Sequence, residues 1–231
     1  MDKKVLDRDP ENRLLARGPR FRLDAETIRD NALAVSGLLN KKMGGRSVSP
    51  YQPPGLWEQI AFGREFSSQV YEQSKGDDNF RRGIYTYWKR SMPYASFVTF
   101  DAPNREVCTV KRPRTNTPLQ ALVLMNDPVY LEAARSLGER ILKEGGETFQ
   151  ERITFAFKLC FARTPQKQEV KLLHEIYAKQ LGHFRSNKEA ATKLIAIGES
   201  KASESLDASD LAAWTAIGNI LLNVDEMITK G

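Results

Sequence analysis

The chain has 231 residues, which suits one large domain or one domain with an appendage. Its 41% hydrophobic and 28% charged residues are close to globular averages, so wholesale disorder, a collagen-like repeat and a disulfide-stapled miniprotein do not fit the composition. The formal net charge is +6, no apolar run reaches the length of a membrane helix, and the first ten residues are charged rather than built like a signal peptide.

The first half of the chain predicts one clear helix and several short strands. Asp24 is a suitable N-cap for a helix with one apolar face, which is expected to end at Gly44 and Gly45. A proline-rich loop over residues 47–55 follows. Beta-branched and aromatic residues then favour short strands over residues 84–88, 97–100 and 108–110.

The excess positive charge lies in one segment, residues 79–116. This segment contains eight basic and two acidic residues, and the difference of 6 equals the net charge of the whole chain. A second, smaller arginine cluster contains Arg13, Arg17, Arg20 and Arg22. Such clusters favour binding of phosphate, sulfate or carboxylate groups. The alternative is that the arginines pair with carboxylates elsewhere in the fold.

The second half of the chain contains the helix-start signals that are typical of a helical protein. Residues 117–120 and 148–151 both have the pattern of a capping box, with a threonine cap and a Gln or Glu three residues later. Cap-then-proline pairs at 127–128 and 164–165 indicate two more helix starts. A short helix is expected over 190–197. The last amphipathic helix is capped by Asp207 or Ser209.

Together these elements predict a mainly α fold. We expect an irregular domain of about six to eight helices with a small, poorly regular β and loop segment around residues 80–112. The chain is interpreted as one domain over residues 1–231, made of a first helical part 12–45, a basic part 79–128 and a helical part 129–231 that includes a mobile connection 186–206.

A long motif between Thr99 and Pro128 carries a family resemblance. Its sequence, TFDAPNREVCTVKRPRTNTPLQALVLMNDP, closely resembles the signature of a planctomycete domain family of unknown function, numbered 1553. The resemblance extends upstream to residues 12–26 and downstream to residues 211–215 and 221–225. The family has no reaction that can be carried over to this chain.

The resemblance implies a place in a larger protein. Members of the family usually form the C-terminal end of exported proteins that begin with a planctomycete-type cytochrome c domain, so the chain is expected to be a fragment that acts in the periplasm or at the cell exterior. Haem is then expected only in a missing upstream domain, and this chain is expected to hold no cofactor. The missing part would leave an exposed apolar face near Leu6, Leu14 and Leu15.

The two cysteines, Cys108 and Cys160, have no CxxC partner and no C-x-x-C-H motif, which argues against zinc, iron–sulfur and covalent haem binding. Cys160 lies in an apolar run and is interpreted as a core residue. Cys108 is flanked by basic residues that favour a thiolate, which makes it a redox candidate, with a structural role as the alternative. The two thiols are not expected to pair, because they belong to different elements.

The basic end of the motif is a candidate anion site. Three arginines lie within ten residues directly before a helix start, where free amides and the helix dipole also favour an anion. The candidate residues are Arg105, Arg112, Arg114, Thr115, Asn116 and Thr117. The group that they bind is either an external anion or an internal carboxylate such as Asp101.

The sequence contains few candidate catalytic residues. His174 and His183 lie in or at the end of an amphipathic helix remote from the motif, so neither a histidine triad nor a metal cage is supported. Asp101 and Asp127 are candidate catalytic carboxylates beside the arginines, although Asp127 also suits a helix cap and Asp101 an ion pair.

Two functions follow. The first is an accessory or interaction module of an exported, cytochrome c-containing protein, in which the arginine-rich motif docks another domain of the parent or an acidic surface. The second is an enzyme domain that acts on an anionic or sulfated polysaccharide. Acidic glycans are therefore possible partners, whereas nucleic acid is not expected, because Tyr85, Tyr87 and Trp88 suit a core better than a base-stacking platform.

Overall fold

The computed structural model describes residues 3–52 and 71–230, and this part of the chain is mainly helical. Seven of its helices have eight residues or more, in agreement with the predicted fold. The helices are α1 (Lys3–Arg8), α2 (Ala25–Ser36), α3 (Ala95–Thr99), α4 (Pro118–Asn126), α5 (Pro128–Glu144), α6 (Phe149–Phe161), α7 (Lys167–Ser186), α8 (Lys188–Ile195), α9 (Ala208–Asn223) and α10 (Asp225–Ile228). None of the described helices is long and apolar enough to cross a membrane.

A two-stranded sheet joins distant parts of the chain. Strand β1 (Phe21–Arg22) runs antiparallel to β2 (Thr229–Lys230), with Phe21 opposite Lys230. Beside the sheet, Arg20 forms an ion pair with Asp225, and Arg22 lies 4.0 Å from the same carboxylate. Two members of the smaller arginine cluster therefore face an internal carboxylate.

The core is centred on the crossing of α5 and α9. A Cβ atom added to Gly218 of α9 would lie 2.6 Å from the carbonyl oxygen of Ala134, so glycine lets the two backbones approach closely. Gly138 of α5 faces the backbone of Trp214 in the same way, and the Trp214 side chain is fully buried. One hydrophobic cluster extends from this crossing to α2, α3, α6 and α10.

The connection between α8 and α9 is attached to α5 through a buried carboxylate. Glu132 is fully buried, and its Oε1 accepts hydrogen bonds from the Ser200 amide at 2.6 Å and the Ser200 hydroxyl at 2.5 Å. Arg135 donates to the Ser200 carbonyl at 2.7 Å and pairs with Glu139. The short helix predicted over residues 190–197 is confirmed as α8, which begins and ends two residues earlier, and the irregular part of the connection follows it. Its mobility stays a prediction.

The three strands predicted in the first half are wrong. Residues Gly83–Tyr85 form a 3-10 turn, and Thr86 makes only an isolated bridge with Val48. Residues 97–100 lie mostly in α3, because a helical turn places both Tyr94 and Phe97 in the core. Residues 108–110 are exposed and belong to neither strand of the described sheet. The wider segment 80–112 is nevertheless irregular, as predicted.

Two helix boundaries also differ from the sequence-based prediction. Helix α2 ends at Ser36 and is capped by Gly37, whose left-handed conformation with φ of 83° lets its amide donate to the carbonyl of Ala34. It therefore stops well before Gly44. Helix α7 begins after Gln166 rather than after Thr164, because Gln166 and Glu169 form the capping pair.

The other caps agree in part with the prediction. The capping box of Thr148 and Glu151 is confirmed, and Asp207 caps α9 by accepting a bond from the Asp210 amide at 2.8 Å. The capping box at residues 117–120 is wrong, because the Thr117 side chain makes no capping bond and Gln120 points elsewhere. Residues 53–55 of the predicted proline-rich loop lie outside the described residues.

Candidate interaction surface

The basic part of the family motif forms one long loop between α3 and α4, here called the signature loop and defined as residues 101–117. Every residue from 104 to 119 is exposed except Arg112, which is half-buried. The exposed residues include two valines, Val107 at 72% and Val110 fully exposed. Long surface loops whose ends are held close together are frequently functional.

The first anchor of the signature loop joins its two ends. The Asp101 carboxylate accepts a hydrogen bond from the Thr115 amide at 2.7 Å and one from the Thr115 hydroxyl at 2.9 Å. Behind this pair, the fully buried Gln120 donates to the carbonyl of Thr99 at 3.0 Å and to the Thr115 hydroxyl at 3.1 Å. Asp101 has a φ of 62°, a left-handed conformation that Asp tolerates better than most residues. These bonds close the loop at its base.

The second anchor attaches the loop to α2. Arg112 donates two hydrogen bonds to the carboxylate of Glu26, at 2.6 Å and 3.1 Å. Burial raises the pKa of Glu26, but the hydrogen bond and charge of Arg112 outweigh it, so the pKa lies below its ordinary value of 4.5. The partner of Arg112 is therefore an internal carboxylate, although it is Glu26 and not Asp101.

The remaining cations of the loop have different surroundings. The guanidinium of Arg105 lies over the ring of Trp88, 4.8 Å from its centroid, and that of Arg114 lies over Phe21 at 5.3 Å. The Trp88 indole donates to the carbonyl of Asn104 at 3.2 Å, which fixes this ring against the loop. Neither arginine forms an ion pair with a described carboxylate, and the same holds for the exposed Lys111. The charge of Arg105 also helps to lower the pKa of Glu26, but none of the three cations has a carboxylate within ion-pair distance among the described residues.

The two candidate catalytic carboxylates have separate environments. Asp127 caps α5 by accepting a bond from the Val129 amide at 2.9 Å, and burial raises its pKa. Asp101 lines a small cleft with Phe100, Pro113 and Arg114. The cleft has a volume of about 10 Å³, which is enough for about one water molecule. No described bond links the two carboxylates, so the predicted catalytic roles stay predictions.

The other predicted site residues lie on the loop or in the core. Asn116 and Thr117 are exposed where the loop enters α4, and Thr117 occupies the N-cap position. Cys108 is exposed and Cys160 is buried, and both are free, so the expectation that they do not pair is confirmed. Burial raises the pKa of the Cys160 thiol to about 12. In the described part of the chain, no group of three His, Cys, Asp or Glu side chains could hold a metal ion.

Sequence reasoning missed two residues that fix the loop. Glu26 lies within the upstream stretch of the family motif, but nothing in its local sequence identified it as the partner of Arg112. Gln120 was interpreted as part of a capping box, although its side chain is buried beneath the loop. A glutamine within an otherwise apolar helical run was the available signal, because a buried amide requires hydrogen-bond partners.

The loop lies within the region that a family model recognises. The model described as PSD1, protein of unknown function (DUF1553), matches residues 1–177. The chain belongs to this family. The match covers the signature loop of this DUF1553 protein and most of its helices, whereas α8, α9 and α10 lie beyond it. No curated protein and no solved structure gives a match.

Proposed function

We propose that this DUF1553 chain is a non-catalytic interaction module whose signature loop docks on an acidic protein surface. The observation behind the proposal is that the base of the loop is fixed by internal bonds while its outer cations are exposed. Its base is fixed by Asp101 and Glu26, while three cations, Arg105, Lys111 and Arg114, stay exposed without a described carboxylate partner. A loop held in one conformation loses less entropy on binding, which favours recognition over a purely structural role.

The apolar residues of the loop favour a protein partner over a polysaccharide. Val107 and Val110 are largely exposed and lie in sequence between Arg105 and Lys111. Protein surfaces offer apolar atoms that can cover such side chains, and arginine is enriched where proteins meet. A densely sulfated or carboxylated glycan would satisfy the cations but leave the valines in water.

The partner surface that we propose belongs to another domain of a larger exported protein. This follows from the resemblance to domains that accompany a planctomycete-type cytochrome c domain. Haem would then be held by that domain and not by this chain. Leu14 and Leu15, which are 79% and 81% exposed, support a further contact with the parent near the predicted apolar face. The side chain of Leu6, the third member of that face, lies outside the described residues.

The enzymatic alternative, an activity on anionic or sulfated polysaccharide, gains no support from the geometry of its candidate residues. A glycosidase needs two carboxylates across an open cleft. Asp101 is bonded to Thr115 beside a cleft of about 10 Å³, and Asp127 is bonded to the first turn of α5. We therefore propose binding as the function of the loop.

Binding of three soluble polymers tests the proposal, because they differ in whether they carry negative charge alone or negative charge together with apolar groups. The probes are poly-L-glutamate, the copolymer poly(Glu,Tyr) and heparin, titrated against the full chain at several salt concentrations. We expect poly(Glu,Tyr) to bind most tightly, because it supplies carboxylates together with aromatic groups for the valines. The triple variant Arg105→Gln, Lys111→Gln, Arg114→Gln should weaken binding about tenfold, as expected from losing three partly screened ion pairs.

Two further variants make the test specific. The control Lys179→Gln, Lys188→Gln, Lys201→Gln removes the same charge from exposed positions outside the loop and should bind like the unaltered chain within about twofold. The variant Val107→Ser, Val110→Ser should erase the preference for poly(Glu,Tyr) over poly-L-glutamate. Tighter binding of heparin than of both polypeptides would overturn the choice of a protein partner. Equal losses in both triple variants would overturn the role of the loop.

A further inference from the structure

A second charged feature lies between α6 and α7, away in sequence from the signature loop. The start of α6 and the first two turns of α7 enclose an open groove of about 550 Å³, here called the α6–α7 groove. Its apolar lining includes Phe149, Pro165 and Val170. Phe149 is itself supported by the core, because its ring packs at 5.4 Å from that of the buried Trp214. Phe149 therefore gives the groove an apolar floor that packs against the core.

Two lysines and a histidine of the groove lie along one stripe of α7. Lys167, Lys171 and His174 all line it, at the i, i+4 and i+7 positions that share one face of a helix. The imidazole of His174 meets the Phe149 ring edge-on, with the ring centroids 4.8 Å apart. Among the described residues, no acidic side chain lines the groove, and neither lysine forms an ion pair with a carboxylate there.

Two of the acidic residues near the groove in sequence, Glu151 and Glu169, are bonded to other groups, whereas Glu147 and Glu175 form no ion pair among the described residues. Glu151 is the carboxylate of the α6 capping box and accepts bonds from the amides of Glu147 and Thr148. Glu169 accepts two bonds from Arg163, at 2.8 Å and 2.6 Å, and a third from the Gln166 amide. Glu151 and Glu169 are thus satisfied within the fold, and neither lysine of the stripe forms an ion pair with a described carboxylate.

The spacing of the two lysines along α7 is close to the spacing of alternate side chains in an extended peptide. Lys167 and Lys171 are four residues apart, which is about 6 Å along a helix axis. Alternate side chains of a β-strand are about 6.7 Å apart and point to the same side. Carboxylates at alternate positions of an extended segment can therefore each meet a lysine, while the intervening side chains turn toward the apolar floor near Phe149.

We infer that the α6–α7 groove binds an extended acidic peptide segment in which carboxylate and apolar side chains alternate. The groove contains none of the residues of the signature loop, so this inference does not depend on the function proposed above. The ligand class follows from charge complementarity and from the combination of a cationic wall with an apolar floor.

The test follows binding residue by residue in the whole chain. A fluorescein-labelled ten-residue peptide of alternating Glu and Val is titrated by fluorescence anisotropy, and the unlabelled peptide is titrated into isotope-labelled protein by NMR. We expect the largest shift changes at residues 149, 165–171 and 174. The double variant Lys167→Gln, Lys171→Gln should weaken binding about fivefold, the effect of losing two exposed ion pairs.

The matched control is Lys179→Gln, Lys188→Gln, which removes the same charge from exposed positions outside the groove and should leave the affinity unchanged. Equal losses in the two double variants would overturn the inference, as would shift changes confined to the signature loop. A heparin oligosaccharide that shifts the groove residues where the peptide does not would overturn the choice of ligand. Equal binding of a Lys and Val peptide would also contradict it.

Discussion

Helix α9 and the signature loop are held in position by different kinds of contact. Most residues of α9 are buried, and its backbone touches that of α5 at Gly218. The signature loop is exposed from residue 104 to its end at residue 117 apart from Arg112, and a few polar bonds at its base hold it. The helix is thus fixed by packing of most of its residues, whereas the loop is fixed at a few points. Substitutions should therefore be costly at the many buried positions of α9 but only at the anchors of the loop.

The largest expected effect on stability is that of a substitution in the packed helix α9. Gly218→Ala places a Cβ atom 2.6 Å from the Ala134 carbonyl oxygen, a backbone atom that cannot move aside without separating α5 from α9. We expect the free energy of unfolding to fall by about 3 kcal/mol, the upper part of the range for overpacking. Urea denaturation measures the change.

Gly182→Ala is the matched control for this substitution. Gly182 lies within α7, and a Cβ atom there would meet nothing within 4 Å. Alanine should stabilise the protein by about 0.5 to 1 kcal/mol, because it favours the helix more than glycine does. If Gly218→Ala were tolerated as well as Gly182→Ala, the close crossing of the two helices would be contradicted.

A smaller effect is expected at the second anchor of the loop. Arg112→Lys keeps the positive charge but loses the two-bond contact with Glu26. The side chains are 32% and 20% exposed, so we expect a loss of about 1 kcal/mol, less than for a fully buried pair. Chemical denaturation at pH 7 measures this loss. Lys193→Gln, which breaks an exposed pair with Glu189, should change stability by less than about 0.5 kcal/mol.

The pH dependence of the same variant is a separate prediction. The pKa of Glu26 in the folded chain lies below 4.5, so the stabilisation from its pairing is fully present above pH 4.5 and is lost as the pH falls through the folded-state pKa. The difference in stability between the unaltered chain and Arg112→Lys should therefore shrink below pH 4.5. Denaturation curves from pH 7 to pH 3 check this. A difference that stays constant over that range would show that the Glu26 carboxylate is not involved.

The smallest expected effect concerns the outer cations of the loop. The variant Arg105→Gln, Lys111→Gln, Arg114→Gln should change the free energy of unfolding by less than about 1 kcal/mol, because surface cations on aromatic rings contribute little in water. Thermal denaturation monitored by circular dichroism measures the change. A loss as large as that of Gly218→Ala would mean that these side chains support the fold.

The helical part could be predicted from sequence because its signals are local. The threonine of the Thr148 capping box and the periodic apolar residues of α9, such as Trp214, occupy the positions that their patterns predict. The same local logic was wrong for residues 97–100, where an aromatic and β-branched run favours a strand. There, the burial of Tyr94 and Phe97 on one side of a helix overrides the local preference.

The sequence indicated which segment holds the candidate site, but not the contacts that shape it. Clustered charge and the family motif identified the loop and its arginines. The pairing of Arg112 with Glu26 joins residues 86 positions apart, and no local pattern reports such a contact. The Gln120 side chain satisfied a capping pattern equally well, yet in the fold it supports the base of the loop. Long-range polar contacts of this kind depend on how α2, α3 and α4 pack.

The central claim is that the signature loop is held in shape for binding, and Asp101→Gly tests it most directly. Glycine suits the left-handed backbone at this position, so the variant removes the bonds to Thr115 without adding backbone strain. It also removes a negative charge beside the loop, which by Coulomb attraction alone would strengthen binding of a polyanion. We predict instead that the affinity for poly(Glu,Tyr) falls about fivefold, because the loop must then be ordered on binding. An affinity that is unchanged or higher would contradict the account.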